Sequence, residues 1–236
     1  MNFLTFAVIS LSFLTSIPAE KLPYDQVAPF QEVLPTTTEA AVALKFKPQL
    51  HISNGCHPYP AVDADGNTNA GLGVTEIFTS CKESPLGSQV YGRVKEYEGV
   101  VAIMYAWYFP RDYIVSPNWV GHRHDWEHAI VWLDSLSENA EVLSVTAQSV
   151  LGYKTYSPPE AKHMDGSSMK LKYTWLIQTQ HFLSGTTKTG EFQDLILWGN
   201  MTAAARSALG STRFFWSKAP MNDDRFSGNL VKAYPF

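Results

Sequence analysis

The residues best equipped for chemistry crowd into one stretch, Gly121-His122-Arg123-His124-Asp125-Trp126-Glu127-His128. In an extended chain alternate side chains point to opposite faces. His122, His124 and His128 then share a face with Trp126, while Asp125 and Glu127 share the other. Two carboxylates two residues apart can converge on one cation, and Asp112 joins them if the intervening loop folds back. Three carboxylates and one imidazole suit a hard cation, Ca2+ or Mg2+, with water completing the shell. A set dominated by histidine would instead select Zn2+ or Fe2+. The same residues have a purely structural use, as a strand start whose His and Asp bond the backbone and pair with Arg123. A carboxylate pair beside a cation can also activate water, which keeps a metal-dependent hydrolase among the readings. No HExxH, GxSxG, GxGxxG or P-loop accompanies the cluster.

Strands must hold these side chains. Val100-Val101-Ala102-Ile103-Met104-Tyr105-Ala106-Trp107-Tyr108-Phe109, stopped by Pro110, predicts a strand buried on both faces. Ala129 to Asp134 predicts a second core strand, Leu143 to Ala147 a third, and Lys170 to Trp175 a strand with one wet face. Leu50-His51-Ile52 is a brief strand, and Asn54-Gly55-Cys56-His57-Pro58 turns the chain. Val62 to Gly73 is a long polar loop, and Tyr153 to Ser168 is a loop marked by Pro158-Pro159 and Asp165-Gly166. An extended arm with Pro23, Pro29 and Pro35 precedes a short helix over Glu39 to Leu44. Phe192 to Leu209 predicts a helix packed on the sheet. With no repeat, coiled coil or Gly/Ser linker, the expectation is one domain, mostly antiparallel β with peripheral helices. Trp107 and Trp132 belong to its core, Trp126 supports the charged cluster, and Trp175 serves either core or cleft. Trp119, in a Ser-Pro-Asn loop, is placed at the surface, where an indole suits a membrane interface.

Composition agrees. Of 236 residues, 45% are hydrophobic, 13% aromatic and only 17% charged, a balance that favours an aromatic-cored β protein over a helical bundle. Eighteen Lys/Arg against 22 Asp/Glu leave a net charge of −4, and without a basic block this argues against nucleic-acid binding. Residues 1–19 have the character of a signal peptide: an apolar stretch from Leu4 to Leu14, then small residues near Ser16 and Ala19. That stretch is shorter than the roughly 20 apolar residues of a membrane span. In a secreted protein the only two cysteines, Cys56 and Cys81, read as one disulfide. Closing that loop of about 26 residues would stabilise by roughly 3–4 kcal/mol. Asn200-Met201-Thr202 is a glycosylation sequon of low specificity.

Gly121-His122-Arg123-His124-Asp125-Trp126-Glu127 resembles the signature heptapeptide of the necrosis- and ethylene-inducing peptide 1-like proteins, and the segment from Ala102 to Asp112 resembles that family's other marked stretch. Segments 45–52, 54–63 and 87–93 match in order, and two cysteines resemble the type 1 branch. The resemblance implies a β-sandwich like that of actinoporins and fungal lectins, over residues 20–236. It also implies a secreted, non-enzymatic cytolysin that binds glycosylinositol phosphorylceramide in plant plasma membranes and breaks the bilayer. It assigns Asp112, His122, Asp125 and Glu127 to a Ca2+ or Mg2+ ion. Asp63, Asn67, Trp175 and His181 go to the head-group sugar, and the segment from Ala102 to Glu127 to a plant pattern-recognition receptor. Two stretches depart from the family's pattern: 176–180 lacks the usual Pro and Asn/Asp, and the loop at 113–120 is about two residues longer. The alternatives are a non-cytolytic member, a lectin-like carbohydrate-binding module, or a metal-dependent glycosidase.

Overall fold

The computed structural model describes residues 19–76, 78–113, 121–175, 180–215 and 217–236. The leader expected over 1–19 lies, but for Ala19, outside the described residues, and so does Trp119. The strands are β1 (Lys21–Leu22), β2 (Gln49–Ile52), β3 (Thr68–Asn69), β4 (Gln89–Tyr97), β5 (Val100–Tyr113), β6 (Gly121–Leu133), β7 (Val142–Ser149), β8 (Gly152–Tyr156), β9 (Met164–Asp165), β10 (Ser168–Trp175), β11 (His181–Gly185) and β12 (Asp194–Leu197). The helices are α1 (Thr38–Lys45), α2 (Ala203–Ser211) and α3 (Phe226–Ala233).

Six strands form one sheet in the order β12-β4-β5-β6-β7-β8, and β11-β10-β2, with β9 beside β10, form another. The large sheet is antiparallel from β4 to β8, but each sheet carries one parallel strand, β12 on β4 and β2 on β10. The apolar run of β5 has no alternation because both of its faces are covered. Phe109 stacks on Tyr173 of the second sheet at 3.8 Å between ring centres. On the opposite face Tyr108 and Trp126 pack on Phe214, and Trp132 packs on Tyr234 beyond α3.

Pro110 does not stop the strand. β5 continues to Tyr113, and the ladder to β6 omits only the pair of Pro110 with His124 before resuming at Arg111 opposite Arg123. Proline has no amide N–H to give, and the residue facing it, His124, is left-handed at φ 62°. The helix expected over 192–209 is divided: β12 pairs with β4, a single 3-10 turn follows at Trp198–Asn200, and α2 begins after its N-cap Thr202. Tyr153 to Tyr156, read as loop, belongs to edge strand β8, whose mostly polar exposed residues carry little strand signal. Cys56 and Cys81 are disulfide-bonded.

Candidate metal centre

The chain does fold back between β5 and β6: antiparallel pairing places Asp112 directly opposite His122 in the ladder. Strict alternation would keep His122 away from Asp125. The left-handed turn at His124, with the gap at Pro110, breaks that alternation. Asp112, His122 and Asp125 consequently offer ligand atoms that all lie within 4.8 Å of one another. The approach of Gly121 to Asp112 requires a glycine: its φ is 154°, and a Cβ there would come within 2.3 Å of the Asp112 carbonyl oxygen.

Each member of the group is oriented from behind. The Asp112 carboxylate accepts from the backbone N–H of His181 at 3.1 Å, and its other oxygen contacts His181 Nδ1. His181 is itself stacked on Tyr173 at 4.3 Å and meets Asn54 Oδ1 through Nε2 at 2.9 Å. Gly55, at φ 81°, lets the 54–58 turn come this close, since a Cβ would sit 2.7 Å from His181 Nε2. Tyr173 donates to Asp125 Oδ2 at 2.8 Å. His122 Nδ1 lies 2.8 Å from the carbonyl oxygen of His124, which can only accept. In the neutral ring the proton is therefore on Nδ1, and Nε2 keeps its lone pair on the side of Asp112, 3.6 Å away.

The electrostatics call for a counter-charge. Burial, then the charge of Asp112, pushes the Asp125 carboxyl up to about 7. Glu127 is 1% exposed, and burial followed by Asp125 and Asp112 holds its carboxyl well above the usual range. Its Oε2 has no hydrogen-bond partner among the described residues. Two buried carboxylates and an imidazole lone pair, with the orphaned Glu127 oxygen on the same strand, make a donor set that fits a hard cation. Glu127, the fourth expected ligand, is not within the close group of three.

The remaining expected site residues take different places. His181 has no exposed surface, so it lies beneath Asp112 and supports it rather than facing a sugar. Trp175 is half-buried at the end of β10, opposite His181. Asp63 Oδ1 accepts from the N–H groups of Asp65 and Asn67 at 3.0 and 2.9 Å, and Oδ2 from Asn67 Nδ2 at 2.9 Å. Asn67 Oδ1 accepts from the Glu20 N–H, so both side chains shape the loop. Arg123, considered as a partner for the cluster's acids, instead donates to the carbonyls of Ala70 and Gly71. His124 bonds the Tyr108 hydroxyl through Nδ1 at 2.6 Å. Burial, then Arg123, lowers its pKa to about 4. Asn200 is exposed. The Thr202 hydroxyl accepts from the Ala205 N–H and donates to the Ala64 carbonyl.

Tyr173, Asn54 and Arg111 are the structural discoveries. Arg111, 2% exposed, donates to the carbonyls of Gly73, Glu76 and Thr79 at 3.0–3.2 Å and lies 4.0 Å from the centre of the Tyr113 ring. Its guanidinium and the Cys56–Cys81 bond together tie down the 73–81 segment. An arginine two residues after a ten-residue apolar run, just past Pro110, was the signal available for it.

Residues 40–233 match the family model described as Necrosis inducing protein (NPP1). The chain belongs to that family. A relative from Plasmopara viticola, NLP effector protein 8, is 55% identical over 216 residues, 92% of this chain and 89% of that protein. Among solved structures, NLPPya in complex with glucosamine aligns at TM-score 0.84 and 40% identity, covering 91% of this chain and 99% of that one. The structure described as non-toxic HaNLP3 protein aligns at 0.83 and 41%, covering 90% and 99%. By family and by its relatives the chain is thus a necrosis-inducing, effector-type NLP protein.

Proposed function

We propose that this effector binds the head group of plant plasma-membrane glycosylinositol phosphorylceramide from outside the cell, in a divalent-cation-dependent way, and damages the bilayer. The observation that carries the reading is the Asp112–His122–Asp125 group, with a half-buried imidazole between buried carboxylates, together with the unpartnered oxygen of the neighbouring Glu127. Ca2+ or Mg2+ held there supplies a concentrated positive charge with coordination positions open to ligand oxygens. His181 and Tyr173 fix the carboxylates, Trp175 offers an apolar face for a sugar ring, and Trp119 enters the interface. Asp63 and Asn67 shape the wall of the cleft. A relative crystallised with glucosamine supports a sugar-binding centre. No described helix is long and apolar enough to cross a membrane. A net charge of −4 gives no general attraction to an anionic surface, so attachment must be local. Co-sedimentation with plant-sphingolipid vesicles and with phosphatidylserine vesicles, each with and without chelator, tests this. Binding restricted to the sphingolipid and abolished by chelation is expected; equal, chelator-insensitive binding to both overturns it.

A second reading keeps head-group binding but drops lysis, because a relative described as non-toxic shares the fold as closely as the others do. Dye release from the same sphingolipid vesicles separates the two. Within the segment from Ala102 to Glu127, recognition of the Ala102–Phe109 stretch by a plant receptor requires unfolding or cleavage, since those residues are fully buried. A synthetic 102–127 peptide should therefore trigger immunity where the intact, protease-protected protein does not.

A further inference from the structure

Beyond α2 the chain turns sharply beside β6. Phe214 and Ser217 exchange both of their backbone hydrogen bonds, at 2.9 and 3.1 Å, so Phe215 stands just inside a tight hairpin turn. The turns that suit this spacing call for a positive φ at that position and select Gly, Asn or Asp. Phe215 adopts φ 58° nevertheless. A bulky side chain in the left-handed region is strained, and such strain persists where the surroundings over-determine it, often at functional sites. The residue is also 49% exposed. Neither the strain nor the wet aromatic surface serves the fold, and glycine at this position would remove both.

The position does serve the metal centre. Phe214 is fully buried and meets the His124 and Trp126 rings edge-on at 5.4 and 5.6 Å, which anchors the turn against β6. The turn then delivers Phe215 to His122, where the two rings lie 5.8 Å apart between centres and within 19° of parallel, the range of an offset stack. His122 is the ligand that most needs such help. Its side chain is 29% exposed, against 1% for Asp112, and its only described hydrogen bonds run from Nδ1 to the carbonyls of Arg123 and His124, at 3.4 and 2.8 Å. A bond in the plane of the ring fixes Nδ1 but permits tilting about that bond. A second ring laid parallel to the first restricts the tilt.

We propose that Phe215 is a positioning residue of the metal centre, its strained ring holding the His122 imidazole with Nε2 aimed between Asp112 and Asp125. The proposal rests on the reading of those three residues as a cation site. Isothermal titration of the chelated protein with Ca2+ and with Mg2+, on the unmodified chain, Phe215→Gly and Phe215→Tyr, tests it alongside thermal melting. Phe215→Gly should melt within about 4 °C of the unmodified chain when chelated, since relieved strain offsets the lost ring contact. It should nonetheless bind the cation about tenfold more weakly, the loss usual when a contact orienting a ligand histidine is removed. Phe215→Tyr, which keeps the ring, should keep the affinity within about twofold. A purely structural role would shift the melting temperature and leave the affinity of the folded protein alone. Unchanged affinity in Phe215→Gly, or equal losses in Phe215→Gly and Phe215→Tyr, would overturn the proposal while leaving the cation site standing. Unchanged cation affinity with weaker binding of Phe215→Gly to sphingolipid vesicles would overturn it too, and would move Phe215 to the lipid interface. An unmodified chain that binds neither cation would remove the site and this role together.

Discussion

From Val101 to Tyr105 the β5–β6 ladder pairs with Leu133 to Ala129 and contains nothing but buried apolar and aromatic side chains, whereas from Ala106 to Tyr113 the same two strands carry Arg111, Asp112, His122, Asp125 and Glu127. Backbone pairing is common to both halves, so the difference lies in what burial does to the side chains. In the first half each large residue taken from water contributes about 1.5–3 kcal/mol. In the second, desolvating each carboxylate costs several kcal/mol unless a partner offsets it. Tyr173 and His181 supply hydrogen bonds, but no lysine or arginine side chain bonds Asp112, Asp125 or Glu127 among the contacts described. The ladder therefore stabilises at one end and gathers buried carboxyl groups with no cationic side chain to offset them at the other.

The largest effect should come from the apolar half. Trp107 is fully buried and donates to Gln193 Oε1 at 2.8 Å. Trp107→Ala leaves a cavity and an unpaired amide, for a loss of about 3–5 kcal/mol in denaturant unfolding. A loss under about 1 kcal/mol would show that the apolar half does not anchor the fold. Next comes the disulfide, which closes a sequence separation of 25 residues. Cys56→Ser with Cys81→Ser should remove about 3 kcal/mol, chiefly by freeing the unfolded chain. Arg111 still grips the 73–79 carbonyls, so proteolysis in that segment should accelerate less in this variant than in Cys56→Ser/Cys81→Ser/Arg111→Gln.

The charged half should answer to pH in the opposite sense to a salt-bridged acid. The Asp125 carboxyl is raised from its ordinary range to about 7 by burial and then Asp112. A raised carboxyl pKa means the folded state holds the proton more tightly. Its contribution to stability is full below the unfolded value, near 4, and is lost as pH rises through about 7. The chelated protein should thus melt several degrees lower at pH 8 than at pH 5. Saturating Ca2+ or Mg2+ should restore about 2–3 kcal/mol at a hundredfold excess over Kd. Glu127→Gln, which keeps volume and removes charge, should stabilise the chelated protein while shrinking the cation's effect. A pH-flat melting curve, or one that falls equally with cation present, would sink this account.

The two halves also differed in how legible they were. The strand from Val100 to Phe109 shows in the sequence because ten consecutive apolar residues need two covered faces, and the fold supplies them. Asp112, His122 and Asp125 could be named, but their convergence could not be derived from alternation. It depends on a left-handed His124 facing a proline, which is a pairing event between strands. Pro110 misleads for the same reason: proline breaks a ladder only where its N–H is wanted. β12 escaped notice because its partner, Gln89 to Gly92, lies over 100 residues away and local sequence there reads equally well as helix. His181 and Tyr173 look like ordinary strand residues until β10 and β11 are packed under β5.

The smallest expected effect lies outside both halves, in the loop that carries Asp63. Although only 9% exposed, its carboxylate spends both oxygens on loop donors, two on Oδ1 and one on Oδ2. Asp63→Asn preserves the two backbone bonds through the remaining oxygen but turns an amide towards Asn67 Nδ2, donor against donor. Asn67 can flip to present its oxygen, yet that oxygen already accepts from the Glu20 N–H at 3.0 Å. One hydrogen bond is lost either way, for about 1 kcal/mol and a Tm decrease of about 2–4 °C. Asp63 lies outside the close group of three ligand-bearing residues, so the Tm gain on adding cation should equal that of the unmodified chain. Sugar-lipid binding should weaken only as far as the loop loses order, and lowering the temperature should recover it. If Asp63→Asn abolished the cation response, the charge at this position would belong with Asp112 and Asp125, and the boundary drawn between the loop and the charged half of the ladder would have to move.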